Sequence, residues 1–322
     1  MQKAAVVNAR KTSMTTAVPV AVRAPSSRLA RRTLIVIGWI LRQVRVGRYD
    51  VEIFSDGIFR LDGGAMFGVV PKVLWEKVKP ADELNRVAMD MSCLLIRDGA
   101  GHVALVETGA GPKLNDKQKR NFGIDTPPAL LDELARRGVT PDQVTLVINT
   151  HLHFDHAGGN THRDGERVVA TFPRASYAIQ RLEWHDAMHS NERTRASYLT
   201  DDYAPLEAAG RTELTDGDSE LLPGLWVERI QGHTRGTQTV RISDGGPTLY
   251  FSADFMPDRH HLPLPWIPGQ DLFPLDTLEA KRTILPRAVA ERWIVAFTHD
   301  VPRFGRIEQQ DGRYRFEELP AT

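Results

Sequence analysis

Between positions 151 and 156 the chain places His151, His153, Asp155 and His156, three imidazoles and a carboxylate within six residues. These donor types suit zinc and neighbouring divalent ions. The run 144–149 ahead of them is apolar and β-branched, which predicts a buried strand. Gly158-Gly159 behind them is a breaker. The four donors therefore belong to a loop at a strand end, where a rigid sheet can aim them at one point. A fold that serves such a loop must bring further donors to the same edge, and the chain repeats the pattern three times. His233 follows the predicted strand 226–230, Asp254 follows 248–251, and His299 follows 293–297. Each sits in a short polar turn, so all of them can converge on one edge.

From residue 49 onward, short strands alternate with Gly and Asp turns. Segments 51–54 and 58–61 flank Ser55-Asp56-Gly57 and predict a hairpin, and 93–97 and 103–107 predict a second around 98–101. Leu130, Leu131 and Leu134 at helical spacing predict a helix over 127–138, closed by Gly138. Another helix is expected over 275–290, with Pro286 as a break, and a closing hairpin over 307–316 around Asp311-Gly312. Mixed strands with interposed helices predict two packed mixed β-sheets flanked by helices, an α/β fold. The polar stretch 184–210 has three readings: a lid, a dimer arm and a plain surface helix.

Charge argues against one class of partner. The 322 residues are neutral overall, with 41 basic and 41 acidic side chains, but residues 1–49 hold ten Lys or Arg and no acid. The body, with 31 basic against 41 acidic groups, is no nucleic-acid surface. The expected division is a flexible basic extension over 1–48 and one folded domain over 49–322. The extension has the Arg-rich, acid-free composition of a transit peptide, and Arg31-Arg32 hints at export, without a small-residue cleavage site. Its apolar run 33–41 is too short to span a bilayer. The single cysteine, Cys93, reads as a small core residue with no disulfide partner. That fits a reducing compartment, so the cytoplasm is the expected location, and targeting by 1–48 stays open.

Together, His151, His153, Asp155 and His156, then His233, Asp254 and His299 in that order and spacing, resemble the metallo-β-lactamase superfamily over nearly all of 50–315. The resemblance implies an αββα sandwich with two divalent metal ions, zinc foremost, at the sheet edges. By analogy His151, His153 and His233 would hold one ion, and Asp155, His156 and His299 the other. Asp254 would bridge both. Such a set leaves each ion an open position, the mark of a catalytic site. Asp155 and Asp254 are then the expected catalytic carboxylates, Asp155 also as proton carrier. Glu107-Thr108-Gly109 stands where the superfamily carries Asp-Thr-Gly, so Glu107 would accept an N–H from a ligand histidine.

The ligand identities narrow the choice. The commonest zinc β-lactamases carry a cysteine in place of Asp254, and flavin-linked di-iron oxygen reductases carry an acid in place of His153. Glyoxalase-II-type thioesterases end in a helical domain, whereas the last residues here predict a strand, a helix and a hairpin. What remains is a resemblance to quorum-quenching N-acyl-homoserine lactonases and methyl parathion hydrolase. It lies in the seven ligands, in the gaps of 21 and 45 residues after His233 and Asp254, and in 62–71 as a loop over the site. It implies opening of a lactone ester by a metal-bridging hydroxide, with an organophosphate triesterase as second reading and an iron-dependent redox enzyme as third. One lactonase feature is missing, because Pro257 stands where they carry a tyrosine. Phe67, Phe255, Met256, Trp266 and Phe273 are the candidate lining of an apolar substrate pocket. His260 and His261 are candidate hydrogen-bonding groups for substrate. The expected partner is a small ester or lactone, and a homodimer is expected by analogy.

Overall fold

Apolar residues on both faces of the same strands force a layered molecule. The computed structural model describes residues 43–124 and 126–320. Its strands are β1 (Gln43–Val46), β2 (Tyr49–Asp62), β3 (Arg86–Arg97), β4 (Val103–Val106), β5 (Leu146–Ile148), a separate ribbon of β6 (Thr161–Asp164) and β7 (Arg167–Ala170), then β8 (Ser176–Gln180) and β9 (Thr212–Thr215). The first sheet has the order β1-β2-β3-β4-β5-β8-β9. The second runs in sequence order through β10 (Ser219–Leu222), β11 (Leu225–Arg229), β12 (Gln238–Ile242), β13 (Leu249–Phe251), β14 (Ile294–Ala296), β15 (Gly305–Gln310) and β16 (Arg313–Glu318). Both sheets are mixed: β4, β5, β8 and β9 are parallel in one, β13 and β14 in the other.

The helices are α1 (Gly63–Phe67), α2 (Lys72–Trp75), α3 (Asp116–Asn121), α4 (Leu130–Arg136), α5 (Phe154–Ala157), α6 (Arg181–Met188), α7 (Ala204–Ala208) and α8 (Pro274–Ala290). In β3, Leu94 and Ile96 enter the core between the sheets, while Cys93 and Leu95 enter the core beneath the helices. That is the two-residue period of a strand covered on both faces. Leu130, Leu134, Trp184 and Leu206 bring α4, α6 and α7 onto the first sheet. Leu285 and Ala288 bring α8 onto the second. The layers are those of the expected αββα sandwich.

Several local expectations change. Ser55-Asp56-Gly57 is not a turn: β2 runs through it for 14 residues, and the register with β3 shifts between Ser55 and Ile58. The resulting bulge turns the Asp56 carboxylate inward, where it accepts from the backbone N–H of Leu130 (2.7 Å) and of Ala110 (3.2 Å). Pro286 does not break α8, which is 17 residues long. Leu285 and Ala288 beside it are buried against the sheet, and their packing offsets the one backbone bond that proline removes. Residues 43–46, expected in the basic extension, pair with 49–52 as an edge strand. The other expectations for that extension fall on residues outside those described. Among the described residues no helix is long and apolar enough to cross a membrane.

Candidate metal centre

The donors stand on turns that follow strands. After β5 the chain passes Asn149 and Thr150 to His151, and His153 precedes α5, whose first turn carries Asp155 and His156. Close backbone contact holds this loop in place. A Cβ on Gly158 would lie 2.1 Å from the Ala110 carbonyl oxygen, and one on Gly159 would lie 2.2 Å from that of Thr108. Only glycine lets the loop lie flat here, with the Thr108 N–H donating to the His156 carbonyl at 2.8 Å. The second sheet supplies His233 between β11 and β12, Asp254 after β13 and His299 after β14. Ala253, just before Asp254, and Glu107, beside His156, both have left-handed backbone (φ 53° and 63°). For a residue with a Cβ this costs about 1–2 kcal/mol and persists only where the surroundings over-determine it.

The donors converge. His151 Nε2 and His233 Nε2 lie 3.0 and 3.1 Å from His153 Nδ1. Asp155 Oδ2 lies 3.5 Å from both His156 Nε2 and His299 Nε2. Between the two triads stands Asp254, with Oδ2 3.5 Å from His233 Nε2 and 4.0 Å from His151 Nε2. Its Oδ1 is 3.0 Å from His299 Nε2 and 3.5 Å from His156 Nε2. One carboxylate thus turns an oxygen toward each triad. Three groups here, His151/His153/His233, His151/His156/Asp254 and Asp155/His156/His299, each have donor atoms within 4.8 Å of one another. All seven sequence candidates are brought together.

The outer ring nitrogens of His151, His233 and His299 are engaged, which fixes their inward ones. His299 Nδ1 donates to the Asp90 carbonyl at 2.6 Å, and His151 Nδ1 lies 3.1 Å from Thr150 Oγ1. Glu107 approaches His156 Nδ1 at 3.3 Å and accepts from the Thr150 N–H at 3.3 Å. Sequence reasoning missed Asp271, whose Oδ1 is 3.0 Å from His233 Nδ1 while its Oδ2 accepts from Thr277 Oγ1 at 2.6 Å. It also missed Glu183, which accepts from the Leu152 N–H, the Tyr198 hydroxyl and the Thr234 hydroxyl. That carboxylate ties the loops of His151 and His233 to the segment 184–210. Neither residue carries a local signal; only the chain's return brings them here.

Burial drives the His153 imidazole down to about 3 and that of His151 well below its ordinary value. Burial opposes charge on His156 too, yet the carboxylates of Asp254, Asp155 and Glu107 hold it well above the usual histidine range. His156 Nδ1 and Nε2 and Asp254 Oδ1 are buried without a hydrogen bond of proper geometry. Buried polar atoms left so are costly, and a divalent cation satisfies them at once. Five imidazoles and two carboxylates with inward lone pairs fit such a cation.

A cleft of about 260 Å³ opens at His153, lined by Gly64, Ala65, Arg193, Thr194, Ser197, Gly269, Gln270 and Leu272. The aromatic candidates lie elsewhere. Phe67 is fully buried, stacked between Trp75 and His261, with the half-buried Trp266 edge-on to it at 5.8 Å. Phe255 and Met256 are fully buried in the core under α8, and Phe273 is half-buried at its N-terminus. None of the five lines the cleft. His261 is a structural residue, bonded through Nδ1 to Asp258 (2.7 Å) and through Nε2 to the Met66 carbonyl (2.9 Å). His260 is only half-buried beside it. The loop 62–71 does reach the site, through Gly64 and Ala65. In the segment 184–210, Trp184, Tyr198 and Tyr203 are buried, and Arg193, Thr194 and Ser197 line the cleft.

Known proteins of this build exist. An N-acyl homoserine lactonase from Bacillus sp. is 27% identical over 224 residues, 69% of this chain and 75% of its own length. The structure of a probable metal-dependent hydrolase from Staphylococcus aureus is 29% identical, with a TM-score of 0.78 over 86% of this chain and all of that one. A dizinc quorum-quenching lactonase, solved in complex with a product, shares the fold at 19% identity, with a TM-score of 0.72 over 87% of this chain and 97% of that one. The profile of the Metallo-beta-lactamase superfamily matches residues 90–299, well over half the chain. The chain belongs to the metallo-beta-lactamase superfamily and is a metal-dependent hydrolase of that family.

Proposed function

We propose that the protein is a dinuclear-metal hydrolase that opens the ester bond of a lactone of the N-acyl-homoserine lactone type. The observation that carries this reading is Asp254, one oxygen toward each of two triads beside an open cleft. His151, His153 and His233 would hold one ion, Asp155, His156 and His299 the other, and Asp254 both. Two such ions, zinc foremost, supply a hydroxide nucleophile near neutral pH and a Lewis acid for the carbonyl oxygen.

The side chains do the rest. Asp155 is the more exposed of the two central carboxylates, 6% against 2% for Asp254. In this reading it takes the proton of the attacking hydroxide and gives it to the ring oxygen as the C–O bond breaks. Asp271 keeps His233 in the tautomer that presents Nε2 inward, and Glu107 stands 3.3 Å from His156 Nδ1. Among the described residues no tyrosine lines the cleft. Pro257 occupies the lactonase tyrosine position, and the Tyr198 hydroxyl near His153 is engaged by Glu183 at 2.8 Å. That absence favours a second reading, a phosphotriesterase, whose transition state needs no such donor. Turnover of a long-chain acyl-homoserine lactone and of a nitrophenyl phosphotriester by zinc-loaded protein separates the two. The lactone is expected to have the higher kcat/KM, and the reverse order replaces the first reading with the second.

A further inference from the structure

The cleft beside the donors also carries a cation. Arg193 lines the cleft, and no carboxylate or carbonyl pairs with its guanidinium among the described residues. None of the lining residues is acidic, while Thr194, Ser197 and Gln270 add further hydrogen-bonding groups. The backbone under Arg193 is fixed. Asn191 Oδ1 accepts from the N–H of Arg193 (2.9 Å) and of Thr194 (3.3 Å), and the Asn191 N–H donates to Thr194 Oγ1 at 3.1 Å. This turn is anchored to the metal loop, because the Ser197 carbonyl accepts from the Phe154 N–H at 2.9 Å. An exposed guanidinium on an anchored turn, in a cleft lined by no acid, is placed to meet a planar anion.

We propose that Arg193 is a specificity-determining residue and that the preferred substrate carries a carboxylate at the end remote from the scissile ester. This rests on the hydrolase reading above for the position of the ester, and on Arg193 alone for the anion. A carboxylate reaching the guanidinium forms a charge-assisted, bidentate pair, worth about tenfold to a hundredfold in kcat/KM. A methyl-ended chain of the same length would leave the guanidinium unpaired.

The test uses zinc-loaded full chain and pairs of homoserine lactones whose acyl chains end in a carboxylate or a methyl group: adipoyl with hexanoyl, suberoyl with octanoyl. The carboxylate-ended member is expected to have the higher kcat/KM in at least one pair. Arg193→Gln should collapse that ratio about tenfold to a hundredfold, and Arg193→Lys should restore part of it. Equal kcat/KM within every pair, or a ratio that Arg193→Gln leaves intact, overturns the proposal. If neither kind of lactone is opened, the lactonase reading fails by itself. Calorimetric titration with adipate and hexanoate still reads the arginine: Arg193→Gln should weaken adipate about tenfold or more relative to hexanoate. The same loss for both acids overturns it.

Discussion

The metal end of the cleft and the wall beside it are built on opposite plans. At the metal end the donors stand on strand-end turns of two sheets, six of the seven are buried, and three rings have the outer nitrogen hydrogen-bonded. The wall is formed by Arg193, Thr194 and Ser197 of an irregular segment, in which Arg193 is exposed and its guanidinium unpaired among the described residues. The contrast separates two tasks. The sheets hold the chemistry to a fixed geometry, and the loops select what reaches it, so selection can change while the donors stay put.

If that division holds, the largest loss comes from the carboxylate shared by the triads. Asp254→Ala should empty the centre of metal and lower lactone kcat/KM on the order of a thousandfold or more. A variant that keeps its metal and stays within tenfold of wild type breaks the comparison at its strong end. Next is a residue that touches no metal. Asp271→Asn should lower metal affinity about tenfold to a hundredfold, as read by competition with a chelator, because His233 loses its anionic partner. An unchanged affinity would show that packing alone orients the ring.

The scaffold behind the metal end should also leave a mark on folding. Burial raises the Asp56 carboxyl to about 7, against backbone N–H groups of Leu130, Ala129 and Ala110 that favour its charged form. As pH climbs from about 4 to 7 the unfolded chain releases this proton before the folded one, so Asp56 costs stability across that window. Asp56→Asn lacks the titration. Its stability relative to wild type should therefore rise by on the order of 3 kcal/mol from pH 4 to pH 7 in urea unfolding. A difference that stays flat with pH contradicts this placement. The smallest effect is at Ala253, where Ala253→Gly relieves left-handed strain and should stabilise by under about 1 kcal/mol. Destabilisation there would mean the alanine methyl packs better than its backbone suffers.

The two regions also differ in how far they can be read from the chain. The donors announce themselves, because His151, His153, Asp155 and His156 sit within one turn and His233, Asp254 and His299 each follow an apolar strand. The layers follow from the two-residue alternation in strands such as β3. The supports do not announce themselves: Asp271 reaches His233 across 38 residues and Asp56 caps Leu130 across 74, distances over which no periodicity operates. Phe255 and Met256 mislead for a related reason. They adjoin Asp254 in sequence, but the turn that points the carboxylate at the donors points its neighbours into the core under α8. Ser55-Asp56-Gly57 has the composition of a turn and becomes a bulge because β3 pairs on both sides of it.

The most direct test is stepwise zinc reconstitution of chelator-stripped protein, following bound metal per chain and opening of an acyl-homoserine lactone together. Activity should vanish on stripping and return as the second ion binds. Full lactone opening by stripped protein, or full activity at one ion per chain, would contradict a centre in which Asp254 serves two metals.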